Sequence, residues 1–249
     1  MPKYCASLDF LFGELPLLDR FAAAADEGFT AVEMISPYDV NGHAVAKALE
    51  RNKLELAVIS TPPPNFTGGP RGFAAIPGMQ ARFQHDFKRT LRYAEALKSQ
   101  KINILPGHAE GDEAYQTFIE NLTWACENTK GMKLTIEPLN AKDLDGYFLT
   151  SFRTAKRILT TVDNPILGLQ LDVYHALKMG EDIFRICEEF SGQIHHVQVA
   201  SHPERSEPFD GDFRFSAFFR MLDGTKYDGY VSGEYRPKTS TGEGLGWRI

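Results

Sequence analysis

Short apolar runs recur along the chain at nearly even intervals, each followed by a longer stretch in which apolar residues return every three or four positions. The runs predict buried strands over 3–8, 31–35, 55–60, 101–105, 133–137, 166–171, 194–199 and 229–234. Between them, PLLDRFAAAADEG, HAVAKALERNK, QARFQHDFKRTLRYAEALKSQ, DEAYQTFIENLTWACENTKG, SFRTAKRILTTV and EDIFRICEEFSG predict helices with one apolar face. Successive strand starts lie 28, 24, 46, 32, 33, 28 and 35 residues apart, close to one β-loop-α-loop unit each. Eight such units predict a parallel sheet covered by helices, and closing it into a barrel removes both sheet edges. The expected fold is an α/β single-domain (β/α)8 TIM barrel over residues 1–249. An open doubly wound sheet would normally bring a glycine-rich phosphate loop after the first strand, where this chain reads DFLFGE. Neither GxGxxG nor GxxxxGK followed by Ser or Thr occurs anywhere.

The one long interval locates an extended loop after the third strand, STPPPNFTGGPRGFAAIPG, over 60–78. Its prolines and glycines oppose regular structure, and a loop of that length predicts a lid or pocket wall. At the other end, GLGWRI follows the eighth strand so soon that a short or incomplete final helix is expected.

Composition narrows the function classes. The chain has 249 residues, 43% of them hydrophobic and 24% charged, with a net charge of −6. These values describe an ordinary globular protein, and the acidic balance argues against a dedicated nucleic-acid binder. Cys5, Cys126 and Cys187 are far apart with no CxxC spacing, which suits a reducing compartment. The opening MPKYCASLDFLFGELP lacks the unbroken apolar stretch of a signal peptide, and no run is long enough to cross a bilayer. The expectation is a cytoplasmic protein with no nucleic-acid or membrane partner; a homo-oligomer is left open.

In a parallel barrel, reacting groups sit where strands end, on the C-terminal face. Four late strands carry oxygen-bearing side chains there: Glu137 in LTIEPLN, Asp172 in LGLQLDVYH, Gln198 in HHVQVAS and Glu234 in YVSGEY. Consecutive strands would bring them around one rim, and an all-oxygen set selects a hard divalent cation, Mg²⁺ or Mn²⁺. Without a cation the carboxylates would repel one another and one would be protonated. The competing reading has each acid capping the following helix or pairing with an arginine, which needs four coincidences.

His175, three residues beyond Asp172, is placed to donate to a substrate oxygen, or else it starts a helix. Arg205, in SHPERSEPFDGDF after the seventh strand, and Arg71, in the long loop, overhang the mouth and would suit a substrate carboxylate. Glu33, ending the second strand in VEMISPY, could bind substrate or brace the Gln198 and Glu234 side of the rim. Of His195 and His196, one faces the core and the other outward, so only one could serve the site, and His195 is the more structural of the two. Phe12, Tyr235 and Trp247 are candidates for pocket walls, though aromatics in such positions usually pack.

The succession EPLN, QLDVYH, HVQVAS and GEYRP, with SLDFLFGE near the start, FTAVEMISPYD in the second unit and PRGFAAIPG in the long loop, resembles the hydroxypyruvate isomerase family. That family belongs to the xylose-isomerase-like TIM barrels, alongside 2-oxo-tetronate isomerases and ketose 3-epimerases, and the resemblance runs from about Tyr4 to Trp247. It implies a metal shell on Glu137, Asp172, Gln198 and Glu234, with Glu137 and Glu234 as the acid/base pair. It further implies interconversion of hydroxypyruvate and 2-hydroxy-3-oxopropanoate (tartronate semialdehyde) through a metal-stabilised enediolate. The family's NPHRGEPGTGEI-like stretch corresponds here to SHPERSEPFDGDF: Arg205, Glu207 and Pro208 match, while Phe209 and Asp212 depart, on the side that bears on substrate preference.

The same constellation could isomerise a 2-oxo-tetronate or epimerise a ketose, or survive in a non-catalytic sugar-acid binding protein, against which the Glu137 and Glu234 pair speaks. Apurinic endonucleases share the barrel class but use a histidine-rich zinc cluster, whereas this chain has seven histidines and an acidic balance.

Overall fold

The computed structural model describes residues 2–61 and 72–248. Eight parallel strands, β1 (Lys3–Ser7), β2 (Ala31–Met34), β3 (Glu55–Ser60), β4 (Lys101–Asn103), β5 (Lys133–Ile136), β6 (Leu167–Asp172), β7 (Ile194–Val199) and β8 (Tyr230–Gly233), close in chain order, with β8 pairing back onto β1. The fold is the expected single-domain TIM barrel. All eight strands fall where the apolar runs placed them, shortened by one or two residues at several ends, while β6 is shifted by one residue and runs on to Asp172.

The helices are α1 (Leu17–Asp26), α2 (Gly42–Asn52), α3 (Gln80–Leu97), α4 (Gly111–Asn128), α5 (Phe152–Val162), α6 (Val173–Met179), α7 (Ile183–Glu189) and α8 (Phe215–Asp223). α5 shows the local logic. Phe152, Ala155, Ile158 and Leu159 form its buried stripe, the Ser151 hydroxyl accepts from the Thr154 amide at 3.3 Å, and Asp163 ends it in the left-handed region at φ 44°. Two helices were not among those expected: α6 is too short for a clear repeat, whereas α8 does carry the period, with Phe215, Phe218, Phe219 and Leu222 buried.

β8 is followed by a single 3-10 turn, Gly242–Trp247, in line with the short final element. Trp247 fills that space by packing edge-on against Tyr4 at 5.2 Å and Tyr235 at 6.1 Å, while its indole donates to the Tyr235 hydroxyl at 3.1 Å. Phe12, Tyr235 and Trp247 are therefore core residues.

Residues 62–71, including Arg71, lie outside the described residues, so the lid reading is followed only in Gly72–Gly78. There the chain crosses the β4–α4 connection so closely that a Cβ on Gly72 would stand 1.9 Å from the Leu105 carbonyl oxygen. Ala75 N–H bonds Pro106 O at 2.8 Å and Asn121 donates to Ala74 O at 2.8 Å, fastening this stretch to the body.

The barrel interior is polar. Ser7, Glu33, Asn103, Thr135, Gln170, His196, Gln198 and Ser232 are all buried, and they alternate along their strands with apolar residues that face the helices. The hydrophobic core lies in the layer between strands and helices, where Phe21, Phe87, Phe118, Phe190, Phe218 and Phe219 are almost completely buried. Each such side chain contributes about 1.5–3 kcal/mol of burial free energy. The three cysteines are free and buried, and among the described residues no helix is long and apolar enough to cross a membrane.

β6 and β7 meet across a register shift, where His195 turns its ring outward over Gly168 and its Nδ1 lies 3.2 Å from Leu134 O. A Cβ at Gly168 would come within 2.5 Å of both Gln193 O and His195 Cγ. Gly168→Ala is therefore expected to cost about 1–3 kcal/mol, read as a fall in the denaturation midpoint.

Burial lowers His195 to about 4, below its ordinary value of 6.5. The unfolded chain thus binds the extra proton first, and stability falls with pH between about 6.5 and 4. His195→Gln should show a shallower loss over that window in chemical denaturation, by on the order of 3 kcal/mol at the acid end.

Candidate active site

The C-terminal mouth of the barrel collects the polar ends of β2, β5, β6, β7 and β8 around a cavity of about 140 Å³. One ligand-type oxygen each from Glu137, Asp172 and Glu234 lies within 4.8 Å of the others, and all three residues are buried. Asp172 is the last residue of β6, while Glu137 and Glu234 stand one position past β5 and β8. Gln198 lines the same cavity.

Each group is held by neighbours that point inward from adjacent strands. Glu137 Oε2 accepts from Asn103 Nδ2 at 2.8 Å and from Gln170 Nε2 at 3.0 Å. Gln170 Nε2 also donates to Gln198 Oε1 at 2.9 Å, and Gln198 Nε2 donates to Glu33 Oε1 at 2.9 Å. The other Glu33 oxygen lies 2.6 Å from His196 Nε2. Both Glu33 oxygens are thus engaged, which fits a brace for Gln198 better than a substrate contact, and His196 is the inward member of the histidine pair.

Asp172 does two jobs. Its Oδ1 accepts from Tyr174 N at 2.8 Å and caps α6, while Oδ2 faces Arg205 Nη2 at 3.1 Å. The same Arg205 nitrogen lies 3.1 Å from Glu234 Oε1, so one guanidinium spans two carboxylates. Capping and arginine pairing, offered above as the alternative to ion binding, therefore hold for Asp172, and arginine pairing for Glu234. Glu234 Oε2 nevertheless remains buried with no hydrogen-bond partner among the described residues.

Arg205 is positioned tightly. Its backbone is left-handed at φ 53°, Arg205 N donates to Ser201 O at 2.9 Å, and Arg236 N donates to Arg205 O at 2.8 Å. The guanidinium is sandwiched between Phe10 at 4.8 Å and Tyr174 at 4.7 Å. Burial works against its charge, but Glu234, Asp172 and Glu137 outweigh that and raise its pKa.

His175 is buried beside them. The Asn140 amide donates to Nδ1 at 3.1 Å, so the hydrogen sits on Nε2, which faces Asp172 Oδ2 at 3.5 Å. The cavity wall opposite comes from the loop after β5, where Asn140, Tyr174 and Lys178 all donate to Asp143. Burial alone would raise Asp143; those hydrogen bonds bring it down to about 2.

Asn103, Gln170, Asn140, Asp143 and Phe10 were not read from the sequence. Period-two polarity within the strands, as in KIN and LGLQLD, was the available signal for the first two. The others lie in loops, where no periodicity marks them.

Burial first, then the facing Asp172 carboxylate, pushes Glu137 up to about 8. Burial also lifts Glu234 well above the usual carboxylate range, with Arg205 opposing. A cluster so strained by its own charge suits a cation. The donor set fits a divalent one: three carboxylates, an orphaned Glu234 oxygen, and a Gln198 carbonyl oxygen with a lone pair to spare.

Together the barrel and its acidic rim define a protein of the isomerase and epimerase type of TIM barrel. The family described as xylose isomerase-like TIM barrel matches residues 21–248, and the chain belongs to that family. It is 36% identical over 253 residues to a 2-oxo-tetronate isomerase of Pectobacterium atrosepticum, covering 99% of this chain and 97% of the relative. To the hydroxypyruvate isomerase of Escherichia coli it is 34% identical over 253 residues, covering 99% and 98%. A solved Brucella melitensis structure described as an AP endonuclease of family 2 superposes with a TM-score of 0.96 at 36% identity, covering 99% and 98%.

Both Glu33 carboxylate oxygens are held by Gln198 and His196, so Glu33→Gln tests the brace. Mn²⁺ titration of the metal-free protein should show affinity reduced by about 10–100-fold in this variant, with the carboxylate trio intact.

Proposed function

We propose that this protein is a metal-dependent isomerase of a small 2-oxo acid, with hydroxypyruvate and 2-hydroxy-3-oxopropanoate as its substrate pair. The observation that carries the reading is the placement of two buried glutamates, Glu137 and Glu234, on one cavity within 4.8 Å of Asp172. Full-length relatives named hydroxypyruvate isomerase and 2-oxo-tetronate isomerase support the reaction class.

Glu137, Asp172, Gln198 and Glu234 would hold Mg²⁺ or Mn²⁺. When bound, the cation supplies positive charge against the oxyanion that develops on the substrate's carbonyl and neighbouring hydroxyl oxygens. The rest falls to the chain's own side chains. One glutamate of the Glu137 and Glu234 pair takes the proton from the hydroxymethyl carbon and the other returns a proton to the former carbonyl carbon, while the hydroxyl proton passes to the former carbonyl oxygen as the hydroxymethyl group becomes the aldehyde. Arg205, fixed between Phe10 and Tyr174, presents its guanidinium to the substrate carboxylate. His175, with its hydrogen held on Nε2 by the Asn140 amide, donates to a substrate oxygen.

Endonuclease chemistry on abasic DNA, suggested by the description of the Brucella structure, is disfavoured by the oxygen-only donor set and the net charge of −6. The reaction class belongs to metabolism of small sugar acids, and its place is expected in the cytoplasm.

The test is turnover of hydroxypyruvate by metal-stripped protein with Mg²⁺ or Mn²⁺ restored, run beside 2-oxo-tetronate and in deuterated water. Expected are metal-dependent isomerisation, deuterium in the product, and losses of about 10²–10⁴-fold in Glu137→Gln and Glu234→Gln. Unchanged rates in both variants, or turnover of 2-oxo-tetronate alone, would overturn the assignment.

A further inference from the structure

The opposite, N-terminal mouth of the barrel has a charge pattern of its own. The first residues of β1, β4 and β5 are Lys3, Lys101 and Lys133. Two positions on in the same strands stand Cys5, Asn103 and Thr135, so the three lysines share the inward parity of the barrel lining. Lys101 and Lys133 are cross-strand partners. Neighbouring strands run about 4.8 Å apart, a spacing at which like charges oppose each other and destabilise the pair.

Among the described residues that repulsion is answered only in part, by Asp228, which lies near enough to favour the Lys101 ammonium. Lys101 is 4% exposed, and its ammonium donates to the neutral Gln100 amide oxygen at 3.3 Å. Among the described residues neither Lys101 nor Lys133 forms an ion pair; the local one is Lys130 with Glu95, at 3.5 Å. Glu55 is already committed to the Tyr230 hydroxyl at 2.9 Å and to the Gln100 side chain, which leaves Asp228 as the free acid of the mouth. Lys3, Lys101, Lys130 and Lys133 all line one open cavity here, in a chain whose net charge is −6.

We propose that this mouth binds a small tetrahedral oxyanion of the phosphate class between Lys101 and Lys133, with Lys3 and Lys130 at its rim. The anion places its oxygens against the ammonium groups of two cross-strand lysines, so binding offsets the like-charge cost of that pairing. Burial and the neighbouring Lys133 lower Lys101 to about 8, consistent with an ammonium short of negative charge. Four residues of β5 separate Lys133 from Glu137, roughly 13 Å of strand, and the two mouths share no lining residue.

Thermal unfolding in inorganic phosphate, against chloride at matched ionic strength, tests the proposal. The midpoint should rise by about 2–4 °C in phosphate, and glycerol 3-phosphate in a parallel arm tells free phosphate from a phosphate monoester. Lys133 is exposed, so Lys133→Ala should fold normally and lose at least half of the rise; Lys101→Met should lose it as well. Arg205→Gln, on the acidic mouth, should keep it. An equal rise in Lys133→Ala, a rise abolished by Arg205→Gln, or no rise in the unaltered protein would overturn the proposal.

Discussion

Three carboxylates converging in a low-dielectric cavity are the constraint around which the rest of the site is arranged. Glu137, Asp172 and Glu234 approach within 4.8 Å, and burial makes each negative charge costly. Arg205 offsets part of that cost by reaching both Asp172 and Glu234, and the trio that remains could hold a cation. The precision of Arg205 follows from this. A flexible arginine would lose entropy on bridging two carboxylates, whereas one clamped between Phe10 and Tyr174 with its backbone pinned at both ends has already lost it.

The polar barrel interior extends the same constraint downward. Asn103 and Gln170 stabilise Glu137, Gln170 and Glu33 hold Gln198 from both sides, and His196 holds Glu33. These links partner the carboxylates from below, while His196 Nδ1, Ser7 Oγ, Ser232 Oγ and Glu234 Oε2 stay without a hydrogen-bond partner among the described residues. The hydrophobic driving force is correspondingly displaced outward into the strand–helix layer, where the phenylalanines concentrate. The candidate site and the hydrophobic core thus draw on different faces of the same strands, one residue apart.

The two mouths of the barrel have opposite electrostatic character, acid at the C-terminal end and lysine at the N-terminal end. The candidate ligands lie at or just past the strand ends, with Arg205 in the loop after β7 and Asp143 in the loop after β5 closing over them. Lys3, Lys101 and Lys133 instead open their strands, where residues set the lower end of the barrel.

By itself the sequence determined the eight βα units, the barrel they close into, and the strand-end residues Glu137, Asp172, Gln198 and Glu234, because hydrophobic period and strand ends are local properties of the chain. Family motifs added a reaction class to these. Tertiary structure alone decided that Arg205 would sit between Asp172 and Glu234, that Glu33 would brace Gln198 across the barrel, and that Asn140 would set the tautomer of His175. Those relations join residues 29 to 165 positions apart, and distance along the chain carries no signal of contact. It also decided where Phe12, Tyr235 and Trp247 went: a period marks a buried face, but whether an aromatic fills the core or walls a pocket depends on which elements close over it.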